Sequence, residues 1–323
     1  MQRISVVLLV IMLMALGVAS SNAAAAYPDH QIRLIVPYPP AGGNDTTARA
    51  LAEFMTRRLG QTVIVENRPG ANGILAAEFV SRAAPDGYTL FMANVGSHGI
   101  NPAIYRELRY DAVKDFTPIS MVASSPNVLV VPASLGIRDL KGLIAYGRAH
   151  PGDLSYGSNG TGSSQQMAGA MFAHAFHLDM LHVPYKGTGP MMTDLLAGRI
   201  KMSFINVVPI MPHVRDGKLV PLAIADETRL SLLPQVPAVA TLAPGFSAGV
   251  WWALVGPARM PADIQNTLNQ AARAFTEAPA TRDLLARLGA TPRGSSPAEL
   301  QAFIEAEVRK WRKVAQEAKL EPQ

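Results

Sequence analysis

Short β-rich runs alternate with amphipathic stretches along this chain, and the alternation runs through twice. Residues 32–38 read as a strand, apolar apart from Arg33. Residues 45–59 follow as a helix, with Ala48, Leu51, Ala52, Met55 and Leu59 on one face and Gly60 as its stop. A strand at 62–66, a helix at 72–84 and a strand at 89–93 complete a βαβαβ unit, with Pro85-Asp86-Gly87 as turn chemistry before the last strand. Such an order favours a mainly parallel sheet covered by helices. A long β-type stretch, 119–132, then breaks the rhythm and reads as a crossing strand.

The pattern starts again after it. Helices are expected at 140–149 (capped by Asp139), 165–177 and 190–197, with strands at 154–157, 181–185, 201–205 and 220–225. Residues 251–255 resemble a second crossing strand, and helices at 262–275, 281–288 and 297–318 close the chain. The last opens on a capping box, with Ser296 as cap, Pro297 at the first helical position and Glu299 three residues after the cap. The expected architecture is therefore α/β with two lobes, the second inserted into the first. Residues 27–125 and 251–323 form one lobe and 126–250 the other. Two crossing passes make a hinge with a cleft between the lobes.

Composition excludes several classes. Of 323 residues, 49% are hydrophobic and 16% charged, which argues against disorder. The net charge of +5 is scattered singly or in pairs such as Arg57 and Arg58, so no basic stripe suggests a nucleic-acid partner. With no Cys, disulfides, thiol catalysis and thiolate metal sites are ruled out. Arg3, an apolar run over 4–18 and a small-residue segment ending in Ala23-Ala24-Ala25-Ala26 make residues 1–26 an expected signal peptide, cut between Ala23 and Tyr27. The run is short for a spanning helix. A soluble, exported and monomeric protein is expected.

Ligands of open α/β sheets bind at the carboxyl ends of strands, which directs attention to the loop after the first strand of each lobe. The first is Pro37-Tyr38-Pro39-Pro40-Ala41-Gly42-Gly43-Asn44-Asp45. Adjacent glycines allow close backbone approach, and a helix start binds anions without a basic side chain. A tight turn with a plain helix cap is an equal reading of the same residues. The Asp45 carboxylate would repel an anion, so it is expected to cap amides or hold a water. The second loop, Tyr156-Gly157-Ser158-Asn159-Gly160-Thr161-Gly162-Ser163-Ser164, again runs into a helix and offers several hydroxyls. Neither matches GxxxxGK[ST] or GxGxxG.

Other residues say less. His174, His177 and His182 have suggestive spacings, but only Asp179 accompanies them, and structural histidines are the better reading. Lys186 is a ligand-neutralising group or a solvated loop lysine. Strand geometry sends Trp251 and Trp252 to opposite faces. Asn206 is a cleft-floor group or a turn residue. No GxSxG or HExxH occurs.

The runs IRLIVPYPPAGGNDTTAR, VIVENRPGANG, APDGYTL, HVPYKGTGP, DGKLVPLAIA and WWALVGPARMP together resemble one family. It comprises the periplasmic substrate-binding proteins of tripartite tricarboxylate transporters, the TctC or Bug proteins. The resemblance implies a type II periplasmic-binding fold that closes on a small organic carboxylate and passes it to membrane permease subunits, with no cofactor or metal. It implies carboxylate contacts, mostly through backbone amides, hydroxyls and waters, at Ala41, Gly42, Gly43 and Asp45. In the second lobe it implies Gly160, Gly162 and Ser163, with Asn159, Thr161 and Ser164 beside them. Tyr38, Ser97 and Asn206 complete the expected ligand-binding set. Members of the family often carry His at the place of Gln166, and an Asp-Asn pair where Ile205-Asn206 stands. A secreted hydrolase acting on a carboxylate ester, with Ser163 or Ser164 as nucleophile, is the alternative from another class, although no motif supplies its base. A ligand-sensing partner of a signalling system is the third reading.

Overall fold

The computed structural model describes residues 27–40, 42–227 and 229–320. The expected signal peptide and Ala41 lie outside the described residues. The first half runs β1 (Ile32–Val36), α1 (Gly43–Leu59), β2 (Val63–Asn67), α2 (Ile74–Ser81), β3 (Thr89–Asn94), α3 (Asn101–Ile104) and β4 (Phe116–Ser125). Helix α1 forms as its spacing predicts: Ala48, Leu51, Ala52 and Met55 are buried. Gly60 ends it in the left-handed region, at φ 73°, and donates its N–H to the Thr56 carbonyl.

The second half runs β5 (Asn127–Pro132), α4 (Leu140–Ala149), β6 (Leu154–Ser158), α5 (Ser164–Phe176), β7 (Met180–Pro184), α6 (Thr188–Leu196), β8 (Met202–Asn206), α7 (Val207–Arg215) and β9 (Leu219–Ile224). Asp139 caps α4 by accepting from the Gly142 N–H, as expected. The chain then returns through β10 (Val250–Pro257), α8 (Ala262–Glu277), α9 (Pro279–Arg287), β11 (Thr291–Pro292) and α10 (Pro297–Glu317). The capping box of α10 is complete, with Ser296 and Glu299 bonding each other's backbone N–H.

Two sheets result. One has six strands in the order β11-β4-β10-β3-β1-β2, the other five in the order β7-β6-β8-β5-β9. The expectation of mainly parallel sheets needs correction. In the first, β1 is parallel to β2 and β3, while β10 runs antiparallel to β3 and β4. In the second, β6 is parallel to β7 and β8, while β5 is antiparallel to β8 and β9. Each βαβ unit is parallel; β10 in the first sheet and β5 in the second run against it, while β4, on the far side of β10, runs with it.

The crossings also differ from expectation. The stretch 119–132 is two strands, because Pro126, which has no N–H to donate, separates β4 in one sheet from β5 in the other. The second crossing precedes 251–255, since β10 lies wholly in the six-stranded sheet. It passes at Ala248-Gly249, beside the first: the Asn127 carbonyl accepts from the Ala225 N–H, and Asn127 Nδ2 donates to the Ala248 carbonyl at 2.8 Å. A Cβ on Gly249 would lie 2.8 Å from the Ser125 carbonyl oxygen, so the two passes touch backbone to backbone. Trp251 and Trp252 do face opposite ways, into two different cores, and both are buried. No helix among the described residues is long and apolar enough to cross a membrane.

Candidate functional site

Helix α1 begins with Gly42 as its cap, at φ −81° and ψ 166°, so no side chain closes its first turn. Gly42 and Gly43 are exposed, and the Trp252 ring lies 3.3 Å from where a Cβ on Gly43 would sit. Asp45 does not face outward. Its carboxylate is buried and accepts from Arg49 Nε at 3.0 Å and Asn67 Nδ2 at 2.8 Å, which neutralises it and ties the loop to β2. Asn67 Nδ2 also donates to the Tyr38 carbonyl. Asn44 is buried with both side-chain amide atoms unpartnered, a costly arrangement that a ligand or water would relieve.

From the same loop, the Tyr38 hydroxyl lies 3.1 Å from Asn72 Oδ1 and 3.3 Å from Asn94 Oδ1, donating its one proton to either. Burial pushes its pKa up, so it stays neutral. Asn94, at the end of β3, accepts from the Gly96 and Ser97 N–H groups and holds a tight turn over Gly96–Ile100. Ser97, expected at the ligand, is fully buried. Its hydroxyl lies 3.0 Å from His98 Nδ1 and accepts from the Asn94 N–H, so it holds the turn. His98 packs among Phe91, Tyr110 and Phe116, and burial lowers its pKa to about 3.

In the second loop Ser163 caps α5, accepting from the Gln166 N–H and donating to the Gly160 carbonyl at 2.7 Å. The Gly162 N–H donates to Gln166 Oε1 at 2.7 Å, so this glutamine folds back on the loop. Asn159 bonds Thr188 at the start of α6. Thr161 is exposed. Ser164 is buried 3.5 Å from Asn127 Nδ2. His182 Nε2 lies 2.6 Å from Ser158 Oγ, with the imidazole pKa lowered by burial.

The two loops meet through Asn72. Its Nδ2 donates to the Gly162 carbonyl at 2.7 Å and to Asn101 Oδ1 at 3.0 Å, while its Oδ1 accepts from Tyr38. Tyr38 and Gly162 thus share a neighbour across the lobes. Gly162, at φ +78°, is placed so that a Cβ would come 2.8 Å from Ile104 Cδ1. Asn206 sits opposite Asn127 in the β5–β8 register and starts α7, with its Nδ2 buried and unpartnered. Ile205 points into the apolar core of the second lobe rather than toward the cleft. His174 lies 3.5 Å from Glu317, His177 ends α5 in the left-handed region, and Lys186 is exposed. Among the described residues, no cluster of three His, Asp or Glu is placed to hold a metal.

Residues 47–320 match the family described as tripartite tricarboxylate transporter family receptor, TctC. The chain belongs to the TctC receptor family. BugT of Bordetella pertussis is 33% identical over 303 residues, covering 93% of each chain. The solved structure of Rpa4515 from R. palustris with adipate is 34% identical, with a TM-score of 0.82 over 92% of this chain and 100% of that one. MatC (Rpa3494) from Rhodopseudomonas palustris with bound malate is 31% identical, with a TM-score of 0.77 over 89% of this chain and 99% of that one. This TctC protein is a solute-binding receptor rather than an enzyme, and its fold is the two-lobed one those structures share.

Sequence reasoning missed Asn72, Asn94 and Asn44 as site residues. The run Gly70-Ala71-Asn72-Gly73 carried a signal for the first. Asn between small, permissive residues is the side chain best suited to a left-handed position, and here it takes φ 49° and ψ 38°.

Proposed function

We propose that this TctC receptor captures a small organic carboxylate in the periplasm by hinge closure and delivers it to a tripartite-type membrane transporter. The lobes that move are residues 27–125 with 251–323, and 126–250, turning about the adjoining passes at Pro126 and Gly249. The observation that carries the reading is chemical. The surface shared by the two loops is built from amides and hydroxyls, and the one carboxylate within it, Asp45, is already paired with Arg49. Such a surface offers hydrogen-bond donors to an anion without a competing fixed charge.

Tyr38, Ala41, Gly42 and Gly43 then meet the ligand from one side. Asn159, Gly160, Thr161, Gly162, Ser163 and Ser164 meet it from the other, with Asn206 at the floor. Asp45 and Ser97 act as supports, holding the first loop and the turn after β3. Adipate on Rpa4515 and malate on MatC make dicarboxylates the first class to try. Export follows cleavage of the signal peptide between Ala23 and Tyr27, and the mature protein is a monomer.

A thermal-shift screen of mono- and dicarboxylates tests the reading. A ligand at 100 times its Kd stabilises the native state by about 2.7 kcal/mol, which a melting curve resolves. The true ligand should also compact the molecule in X-ray scattering. A panel in which no carboxylate raises the melting point, while an amine or neutral sugar does, would overturn it.

A further inference from the structure

We infer that Asn72 is a latch between the lobes, one that favours the closed form of the ligand-free receptor and so sets how much of its binding energy a ligand must spend on closure. The inference rests on the two-lobe closure just proposed, but not on the identity of the ligand. Both Nδ2 protons, Oδ1 and the backbone carbonyl of Asn72 are engaged in hydrogen bonds. Nδ2 donates to the Gly162 carbonyl of the other lobe and to Asn101 Oδ1, Oδ1 accepts from Tyr38, and the Asn72 carbonyl accepts from Asn101 Nδ2 at 3.1 Å. Three of these four bonds stay within one lobe and fix the amide's orientation. The fourth, at 2.7 Å, reaches across and is the one that opening breaks.

The backbone supports the same role. Gly70, Ala71, Asn72 and Gly73 all have positive φ, at 141°, 45°, 49° and 87°. This is an uncommon run, which brings the amide up to the neighbouring lobe on a short, braced turn. Asn101 is in turn held near Tyr110, whose hydroxyl donates to the Ser97 carbonyl. The amide is therefore presented in place before the second lobe arrives. Because the orientation is fixed in advance, little side-chain entropy is lost when the crossing bond forms.

The absence of native Cys allows a direct test. Ile64 on β2 and Leu181 on β7 are exposed, and they lie on the sheet edges farthest from the crossings. Spin labels on I64C and L181C report lobe separation by double electron–electron resonance in the ligand-free full-length receptor. The protein with native Asn72 should show a dominant short distance. Asn72→Gly, which suits the left-handed backbone, should raise the open-to-closed ratio about three- to tenfold, the worth of one net hydrogen bond. Asn72→Asp should raise it further, since a carboxylate oxygen would then face the Gly162 carbonyl. Distance distributions identical in all three proteins, or a native-Asn72 protein already fully open, would overturn the latch. A failed carboxylate screen with the expected distance shifts would refute the ligand assignment and leave the latch standing.

Discussion

Replacing Gly42 with valine separates ligand recognition from folding more cleanly than any other change in the two loops. Gly42 has φ −81° and ψ 166°, an extended conformation that valine favours, and a Cβ there meets nothing within 4 Å. The fold should scarcely notice. Restricting the unfolded chain gains about 0.4–1 kcal/mol, and losing a good helix cap costs about as much. The bound state is different. If a carboxylate rests on the open first turn of α1, a branched side chain on the cap residue occupies the approach to it. One or two charge-assisted hydrogen bonds at about 1.5–3 kcal/mol each correspond to a loss of at least tenfold in affinity. Calorimetry with the carboxylate found by the screen, paired with a melting curve, measures both quantities. Gly162→Val is the instructive contrast. Its φ of +78° and the Ile104 contact make the variant strained and sterically opposed to closure, so it should lose stability and affinity together. Unchanged affinity with an unchanged melting point in Gly42→Val would mean that α1 does not receive the ligand.

Two further outcomes follow from buried groups. His98 titrates near 6.5 when unfolded and at about 3 in the fold, so its contribution is complete above pH 6.5 and lost as pH falls toward 3. The slope over that range is at most about 1.4 kcal/mol per pH unit, and urea titrations of His98→Phe at several pH values should show it flattened; equal slopes would contradict the assignment. Glu307 is buried on α10 and accepts from Trp251 Nε1 at 2.7 Å and Trp311 Nε1 at 3.0 Å while pairing with Lys310. Glu307→Ala should cost about 3–5 kcal/mol in chemical denaturation, and a loss under about 1 kcal/mol would show that the indole N–H groups find other partners.

Local pattern carried the elements whose physics is local. Helix α1 with its Gly60 stop, α4 with its Asp139 cap and α10 with its capping box all appear where periodicity and capping chemistry place them. Strand direction is not a local property. The antiparallel partners of β10 lie more than 120 residues away along the chain, and nothing in residues 250–257 names them. Helix α7 went unread because Pro209 and Pro212 interrupt its pattern. It turns Asn206 from a loop residue into a helix cap. In the site, the two glycine loops were legible because strand-to-helix turns rich in Gly and hydroxyls are unusual. The three asparagines were not, because an amide's role depends on which carbonyl lies opposite, and that is a product of the whole fold.

The place of β10 between β3 and β4 has a consequence for how the molecule is made. A growing chain holding residues 32–125 has four strands of its first sheet and lacks β11 at one edge and β10 in the middle. The five-stranded sheet needs only residues 127–224, so it is complete first. Synthesis therefore finishes the inserted half before the half that began it, reversing the usual amino-terminal-first order. Strands β1, β2 and β3 can pair among themselves, but β4 stays unjoined to them until residues 250–257 emerge to fill the gap.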